Sequence, residues 1–600
     1  MSTRLSALAL LACAVAVAQP PGRSPSENAP EPRAAGADAV VPEAVALDRK
    51  VMAEVKANSK LMANLEHLSD VIGPRVTGSP RLEKANKWAA EKMKEYGLTD
   101  VKLEPWEIPV GWERGTATLK IVEPDNGKTL TVASAAWRPG TAGKVTGPVV
   151  LLSVRTKEDL AQYKGKLKNA VILRSPPANV GPVGDPSYLG ISAKPPAKTD
   201  PPKTDPPKMD TPKTDPPKAV ELKKEEEELT SAQPPKKEEP KKDPPPAGQP
   251  GGGRPGGLDF ALRGLIDDFL REEGAAVVLS DSAKPHGLLT MTGNWPATDR
   301  GRQPIPSLFI THEHYALLYR LAKAKRDVVP KCEIEITNTF VPGPITVYNT
   351  VGEIKGSDKP DEFVVLGAHL DSWDLGTGTT DNGTGSCSVL EVARVLGALA
   401  KQGIKPKRTI RFVLFTGEEQ GLYGSKEYVK RHKDELAKTS MCLVHDTGTG
   451  IVQGISLGGR EAVRKVLEAE LETLKEVNGW KGLNMRNQGG TDHLSFRGTG
   501  VPGLCCDQEV DEYRYTHHTQ TDTFDHAKPA NLNQGATVMA VTTLRVANMP
   551  DLLPRDTERT TPKGKGGPGG ADPKKDEPKK DEEKKAIEKT VEPKKVEDKK

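Results

Sequence analysis

The chain has 600 residues, more than one compact core usually uses, so we expect at least two folded units. Only 36% of the residues are hydrophobic, and there are 57 glycines and 52 prolines, which predicts folded domains separated by segments that do not fold. The net charge of +4 gives no indication of nucleic acid binding. The longest apolar run, about 14 residues, is too short to span a bilayer, which excludes a polytopic membrane protein.

The amino terminus has the pattern of a secretory signal peptide. Arg4 precedes the apolar residues 5–15, and Ala16-Val17-Ala18 forms a small-residue cleavage site of the usual kind. We therefore predict a signal peptide at residues 1–18 and a secreted or periplasmic protein. The alternative is a lipoprotein anchored at Cys13, which follows Leu-Leu-Ala. In either case the protein leaves the cytoplasm.

Cysteine is sparse. Cleavage after Ala18 leaves five cysteines, an odd number without C-x-x-C spacing. This excludes a disulfide framework and a thiolate zinc site, although one disulfide is allowed. We expect the neighbours Cys505 and Cys506 to be buried strand residues.

The first folded stretch, residues 46–124, follows a Pro/Ala-rich segment that we interpret as a flexible leader at 19–45. Apolar spacing predicts an amphipathic helix from Leu47 to Val71. Ser79-Pro80 opens a second helix, which we expect to end at Tyr96 before Gly97. Strands are predicted at 101–108 and 117–122.

Residues 125–340 alternate short strands with brief helices and contain a stretch of different composition. Residues 198–217 repeat Lys-Thr-Asp-Pro-Pro nearly four times, and Lys/Glu-rich and Gly/Pro-rich sequence follows. Prolines at this spacing forbid helix and sheet, and the mixed charges leave nothing apolar to bury. We predict a small β-rich domain with a disordered insert at 193–257. The tail at 556–600 has the same composition. Both are interpreted as solvated spacers, with a cell-wall or surface tether through their lysines as the alternative.

Residues 341–555 alternate strand, loop and helix. Strands are predicted at 363–369, 409–416, 441–446 and 501–507, and helices at 388–399, 461–477 and 531–549. This order predicts an α/β fold, with a mainly parallel sheet and helices on both faces. In such sheets ligands bind at the carboxyl ends of the strands.

Histidines and carboxylates follow these strands. They are His369, Asp371, Asp381, Glu418, Glu419, His445, Asp446, His517 and His518. Imidazole and carboxylate without thiolate is the ligand set of a catalytic zinc site. The adjacent carboxylates of Glu418 and Glu419 repel each other. A cation resolves this repulsion, because one glutamate binds the metal and the other stays free as a base.

Each of these residues also has a simpler interpretation. The His369-x-Asp371 pair could be a hydrogen-bonded surface pair, Asp446 a helix cap, and His518 a core histidine. Their joint occurrence on consecutive strand ends is what favours a metal site.

Six motifs connect this pattern to a known family. They are Gly-Ala-His-Leu-Asp-Ser-Trp-Asp (367–374), Thr-Asp-Asn-Gly-Thr-Gly (380–385), Lys-Arg-Thr-Ile-Arg-Phe-Val-Leu-Phe-Thr-Gly-Glu-Glu-Gln-Gly (407–421), Gly-Thr-Asp (490–492), His-His-Thr (517–519) and Ile-Gly-Pro-Arg-Val-Thr-Gly-Ser-Pro (72–80). In them the sequence resembles metallopeptidase family 28, which contains cocatalytic zinc aminopeptidases and glutamate carboxypeptidases. The resemblance covers residues 46–555 apart from the insert.

The resemblance implies two zinc ions per chain and assigns their ligands. His369 and Asp446 would bind one ion, Glu419 and His518 the other, and Asp381 would bridge both. The peptide bond after Asp381 would be cis, as in family members. His518 is preferred to His517 as the ligand because His518-Thr-Gln-Thr-Asp-Thr523 fits the family motif; His517 would line the substrate pocket.

The resemblance also implies the catalytic roles. Glu418 would be the general base acting on a zinc-bridging water, and Asp371 would orient His369 through its free ring nitrogen. No direct chemistry is expected of His445 or His493. His312-Glu-His314 could bind a metal, but local capping at the surface is preferred.

We therefore predict a secreted two-zinc exopeptidase that acts on peptides or dipeptides, of the aminopeptidase, dipeptidase or carboxypeptidase type. The region 125–340 resembles a protease-associated domain, and relatives with this architecture often form homodimers. One alternative is a glutaminyl cyclase, which uses a single zinc and would not need the second ligand set. Another is a non-catalytic, receptor-like binding protein, in which ligand positions are lost, whereas here all are filled.

Overall fold

The computed structural model describes residues 42–125, 127–180, 260–296, 304–324 and 328–555. The predicted signal peptide with Cys13, the insert at 193–257 and the tail at 556–600 lie outside the described residues, as does most of the leader. The leader prediction was too long by residues 43–45, because the first helix begins directly after Pro42.

The described residues form ten α-helices and fifteen strands. The helices are α1 (Glu43–Asn58), α2 (Leu61–Glu66), α3 (Pro80–Glu95), α4 (Phe260–Glu272), α5 (His312–Lys323), α6 (Thr384–Lys401), α7 (Tyr423–Arg431), α8 (Glu461–Glu470), α9 (Tyr513–Thr516) and α10 (Pro529–Asn548). The strands are β1 (Thr99–Glu113), β2 (Ala117–Glu123), β3 (Val132–Ser134), β4 (Val145–Leu151), β5 (Val171–Leu173), β6 (Val277–Asp281), β7 (Ser307–Ile310), β8 (Lys331–Ile336), β9 (Thr339–Ile354), β10 (Lys359–His369), β11 (Arg408–Phe415), β12 (Thr439–Val444), β13 (Val452–Ser456), β14 (Gly482–Asn484) and β15 (Gly503–Gln508). Among them no helix combines the length and apolar character that a membrane crossing needs.

The larger sheet has eight strands in the order β1-β9-β11-β10-β12-β15-β13-β14. Its centre, from β11 through β10 and β12 to β15, is parallel. Successive residues of β10 enter different clusters: Val364 and Leu366 pack with α1, α3, α6 and α10, whereas Val365 packs with Tyr428 of α7. Since alternate side chains of a strand point to opposite faces, helices cover both faces. This confirms the predicted α/β fold class.

The second sheet has seven strands in the order β2-β8-β4-β5-β6-β7-β3. It has its own core, in which Val171 and Val277 pack against Tyr315 of α5. It lies between β1 and β9 in the chain, and these two strands pair with each other in the larger sheet. The chain therefore leaves the larger sheet after β1 and returns next to the same strand.

Several predicted elements differ in detail. The helix predicted at 47–71 is divided at Ser59, whose ψ of 134° lies outside the helical range; the Ser59 hydroxyl accepts a hydrogen bond from the Leu61 amide. The helix predicted at 461–477 ends at Glu470, and a 3₁₀ turn follows. Apolar residues three apart, such as Leu471 and Leu474, suit such a turn as well as a helix.

Other expectations agree with the structure. Ser79 caps α3 by accepting a hydrogen bond from the Leu82 amide. The five cysteines of the described residues are buried and free, and Cys505 and Cys506 lie in β15, which confirms that there is no disulfide framework among them.

Candidate metal centre

The predicted ligands meet at the carboxyl edge of the parallel strands. His369 is the last residue of β10, Asp446 follows β12, and Glu418 and Glu419 follow β11. Because neighbouring parallel strands end at the same edge, these side chains lie together. His518 joins them from the loop after α9.

One group of ligand atoms surrounds His369. Its Nε2 lies 3.2 Å from Asp446 Oδ1 and 3.4 Å from Asp381 Oδ1. All three residues are nearly buried, with side-chain exposures of 1% for His369 and 6% for both aspartates. The Asp381–Asn382 peptide bond is cis, as the resemblance implies.

A second group surrounds His518. Its Nε2 lies 3.3 Å from Asp381 Oδ2 and 2.9 Å from Glu419 Oε2. The two groups therefore share Asp381, with one carboxylate oxygen facing each histidine. His517 stacks on His518 with ring centroids 3.8 Å apart, and its Nε2 is 3.9 Å from Asp381 Oδ2.

These spacings fit zinc. A tetrahedral zinc ion about 2.0 Å from nitrogen and oxygen ligands holds those ligand atoms roughly 3.3 Å apart. The separations around His369 and His518 lie near this value, whereas the distance of 3.9 Å from His517 and the distance of 4.0 Å between His369 Nε2 and Glu418 Oε2 are longer. Asp381 Oδ2 and Glu419 Oε1 are buried without a hydrogen-bond partner. Buried carboxylate oxygens of this kind suit a cation.

Electrostatics also favour a cation here. Burial raises the pKa of Glu418 well above its usual range, and the charges of Asp446 and Glu419 add to this effect against the opposing charge of His369. Burial and the charge of Asp381 likewise raise the pKa of Glu419. For Asp381 burial acts in the same direction, but the hydrogen bond to His369 and the charges of the histidines outweigh it, and the pKa is lowered. Closely packed carboxylates need positive charge to stay ionised.

Asp371 contacts His369 through its backbone carbonyl. The Nδ1–H of His369 donates to the backbone carbonyl of Asp371 at 3.0 Å, whereas the Asp371 carboxylate is 3.6 Å away. That carboxylate accepts hydrogen bonds from the Thr77 hydroxyl and from the amides of Glu418 and Glu419. The backbone carbonyl therefore fixes the ring of His369, and the carboxylate holds the turn that carries the glutamates.

Two buried residues near the centre had no predicted role. Arg75 is completely buried, and its guanidinium donates to four backbone carbonyls, those of Gly73, Leu370, Thr377 and Gly378. Asp522 accepts hydrogen bonds from the amides of Thr380 and Asp381, and burial together with the charge of Asp381 raises its pKa to about 7. Both residues lie inside the family motifs, and this position was the signal that could have found them.

The remaining histidines lie outside these groups. Burial lowers the pKa of His445 and of His493 to about 4. His312 Nδ1 lies 3.0 Å from Asp281 Oδ2, and His314 Nδ1 accepts a hydrogen bond from the Thr131 amide. The His312-Glu-His314 motif thus makes local contacts at the start of α5.

The ligand groups open into a cavity of about 450 Å³. It is lined by Asp381, Glu418, Glu419, Gln420, Gly421, Leu422, Asp446, Thr447, Gln488, Gly489, Gly490, Tyr513, His517 and His518. Four of these residues are carboxylates, and among the described residues that line the cavity there is no lysine or arginine.

Known proteins are similar to this chain in sequence and in fold. Residues 349–543 match the model of peptidase family M28. Carboxypeptidase Q of Mus musculus is 27% identical over 488 residues, which cover 81% of this chain and 86% of that protein. The Homo sapiens carboxypeptidase Q is also 27% identical, with coverages of 81% and 85%.

Two solved structures have a similar fold. A peptidase M28 precursor from Shewanella amazonensis superposes with a TM-score of 0.63 at 24% identity, covering 85% of this chain and 98% of that one. A zinc aminopeptidase from Bacillus subtilis gives a TM-score of 0.50 at 20% identity, with coverages of 80% and 93%. The fold, the donor set and these similarities lead to one assignment. Residues 349–543 form a domain that matches peptidase family M28, which agrees with the resemblance found in the sequence.

Proposed function

We propose that the protein is an exopeptidase that uses two zinc ions, and that Asp381 would be a ligand of both. The observation that carries the proposal is the position of the Asp381 carboxylate, whose Oδ1 faces His369 and whose Oδ2 faces His518. Asp446 would complete the site around His369, and Glu419 the site around His518. The ligand-atom spacings of 2.9 to 3.4 Å support this assignment.

Bound zinc would polarise the scissile carbonyl and lower the pKa of water, so that a nucleophile is available near neutral pH. Glu418 would act as the general base. Glu418 lies beside the ligand groups and lines the same cavity. Its backbone amide donates a hydrogen bond to the Asp371 carboxylate. It would take a proton from the attacking water and pass it to the leaving amine.

The cavity favours a substrate with a free amino terminus. Among the described residues that line the cavity there is no lysine or arginine that could pair with the carboxyl terminus of a substrate. Aminopeptidase or dipeptidase activity is therefore preferred to carboxypeptidase activity. The test is hydrolysis of matched peptides with free or acetylated amino termini and with free or amidated carboxyl termini. Cleavage of only the acetylated peptides would contradict the preference while leaving the metal site intact.

The catalytic role of Glu418 is tested by Glu418→Gln, with Glu468→Gln on the exposed surface of α8 as the matched control. We expect kcat to fall by about 10²- to 10⁴-fold, the usual contribution of a general base, while the zinc content stays unchanged. Activity equal to that of the wild type would exclude Glu418 as the base. A zinc content near one ion per chain would instead favour a single-zinc enzyme.

The domain of the second sheet supports a further proposal. We propose that it is a protease-associated domain that covers the active site, since its loop residues approach the cavity from one side. Secretion, a homodimer and a tether through the lysine-rich segments stay predictions from the sequence.

A further inference from the structure

A loop of the second sheet's domain lies against the loop that carries His518. Lys284, three residues after the end of β6, donates hydrogen bonds from its ammonium group to the backbone carbonyls of Arg514 and His517, both at 2.8 Å. The two carbonyls flank residues 515 and 516, the last two residues of α9. A single charged side chain therefore ties both ends of the turn that leads into His518.

Neighbouring residues extend this contact. The Met291 amide donates to the carbonyl of His518 itself at 2.8 Å. The side chain of Gln520 accepts a hydrogen bond from the Leu289 amide and donates to the Gly287 carbonyl. The segment 284–291 thus contacts the metal-centre loop on both sides of His518.

The His518 loop needs such support. His518 has φ +58°, a left-handed conformation that is unfavourable for a residue with a Cβ. Its side chain is 23% exposed, whereas that of His369 is 1% exposed and stands at the end of a buried strand. No strand of the larger sheet carries His518, so the position of its Nε2 depends on the contacts of its own loop, which include these hydrogen bonds and the rings of His517 and Trp373.

We propose that Lys284 is a positioning residue for the metal ligand His518, and that the second domain thereby forms part of the metal centre. The inference rests on the proposed two-zinc function. By holding the carbonyls of Arg514 and His517, Lys284 keeps His518 Nε2 between Asp381 Oδ2 and Glu419 Oε2. Lys284 is not among the residues that line the cavity.

The test is Lys284→Met in the full-length protein, with Lys323→Met, an exposed residue of α5, as the matched control. Zinc is titrated into chelator-treated protein, and both affinities are measured. We expect one of the two to weaken by about 10- to 100-fold, as is usual when a residue supporting a ligand is removed, and the other to stay unchanged. The kcat should fall at limiting zinc and recover in excess zinc, and Lys323→Met should match the wild type.

Gln520→Leu provides a second variant, because it removes the two hydrogen bonds to Gly287 and Leu289 without changing Lys284. It should weaken the same site. Unchanged zinc affinities in Lys284→Met would overturn the inference, and so would an equal loss at both sites together with a lower melting temperature. If the wild type binds one zinc ion, the two-zinc function fails by itself. A weaker single site in Lys284→Met would then still support the positioning role, and an unchanged one would overturn it.

Discussion

His369 and Asp446 stand at the ends of neighbouring parallel strands, whereas His518 lies in a loop that another domain holds in place. We call these the strand half and the loop half of the proposed metal centre. In the strand half His369 ends β10 and Asp446 lies two residues after the end of β12, and the side chains are 1% and 6% exposed. In the loop half the backbone at His518 has a positive φ, and its contacts come from the segment 284–291.

The difference shows two ways of placing a ligand. A buried strand end positions a side chain by the same packing that stabilises the fold, so the ligand is as rigid as the core. A loop ligand depends on a few hydrogen bonds, and its position changes when those bonds change. We therefore expect the strand half to bind zinc more tightly and the loop half to respond more strongly to distant substitutions.

The sharpest test of this comparison is His369→Ala beside His518→Ala. Each should lose one zinc ion, and activity should fall by at least about 100-fold, because metal stabilisation of the transition state is worth several kcal/mol. Excess zinc should restore part of the activity only in His518→Ala, since the ring of His517 stacks on His518 and its Nε2 is 3.9 Å from Asp381. Zinc content and kcat/KM at rising zinc concentrations measure both effects. Equal rescue of the two variants would contradict the comparison.

Arg75 also supports the strand half, because its guanidinium donates to the carbonyl of Leu370, the residue after His369. We expect Arg75→Met to lower the free energy of unfolding by about 3 kcal/mol, because buried carbonyls that the guanidinium satisfied are left unpaired. Urea unfolding of the zinc-loaded protein measures this, and exposed Arg81→Met in α3 is the control. A loss below about 1 kcal/mol, the net value of one ordinary hydrogen bond, would show that the segment around Leu370 does not depend on Arg75.

Glu104 lies outside both halves and provides a reference for a change in stability that leaves zinc binding unaffected. Glu104 of β1 is buried and accepts hydrogen bonds from His432. Burial by itself raises the pKa of Glu104. The hydrogen bond from His432 and the charges of His432 and Lys102 outweigh burial, so the pKa of Glu104 is lowered. A lowered folded-state pKa stabilises the protein above the unfolded value of about 4.3, and this stability is lost as the pH falls through the folded value.

Glu104→Gln should therefore cost about 1 kcal/mol near pH 7, and the difference from the wild type should shrink below pH ~4. Zinc content and kcat should stay at wild-type values. Urea unfolding at pH 7 and in acid measures the effect. A constant difference across this range would show that the charge of Glu104 is not responsible.

The sequence was sufficient to predict that the residues of the strand half and of most of the loop half lie close together. Buried strand runs could be recognised from their apolar residues, and the histidines and carboxylates directly after them had to meet at one edge. The motif from His518 to Thr523 separated His518 from His517, and the ligand distances agree with that choice.

The support of the loop half could not be predicted. Lys284 and His517 are far apart in the chain, and a lone lysine in a loop has no pattern that distinguishes it from a surface residue. The same holds for Asp371, whose backbone carbonyl rather than its carboxylate bonds to His369. The short strands β13 and β14 were missed because they are only five and three residues long and contain glycine, which weakens the strand signal.

The pairing of β1 with β9 has a consequence for engineering. Glu113 is opposite Thr339 in this antiparallel ribbon, so the two ends of the intervening chain are neighbours. A two-residue turn such as Asn-Gly, which joins antiparallel strands, could replace residues 114–338 without breaking the larger sheet. Such a minimal enzyme would keep the strand half intact but lose Lys284. A designer would have to replace its hydrogen bonds to the His518 loop with contacts from within the catalytic domain.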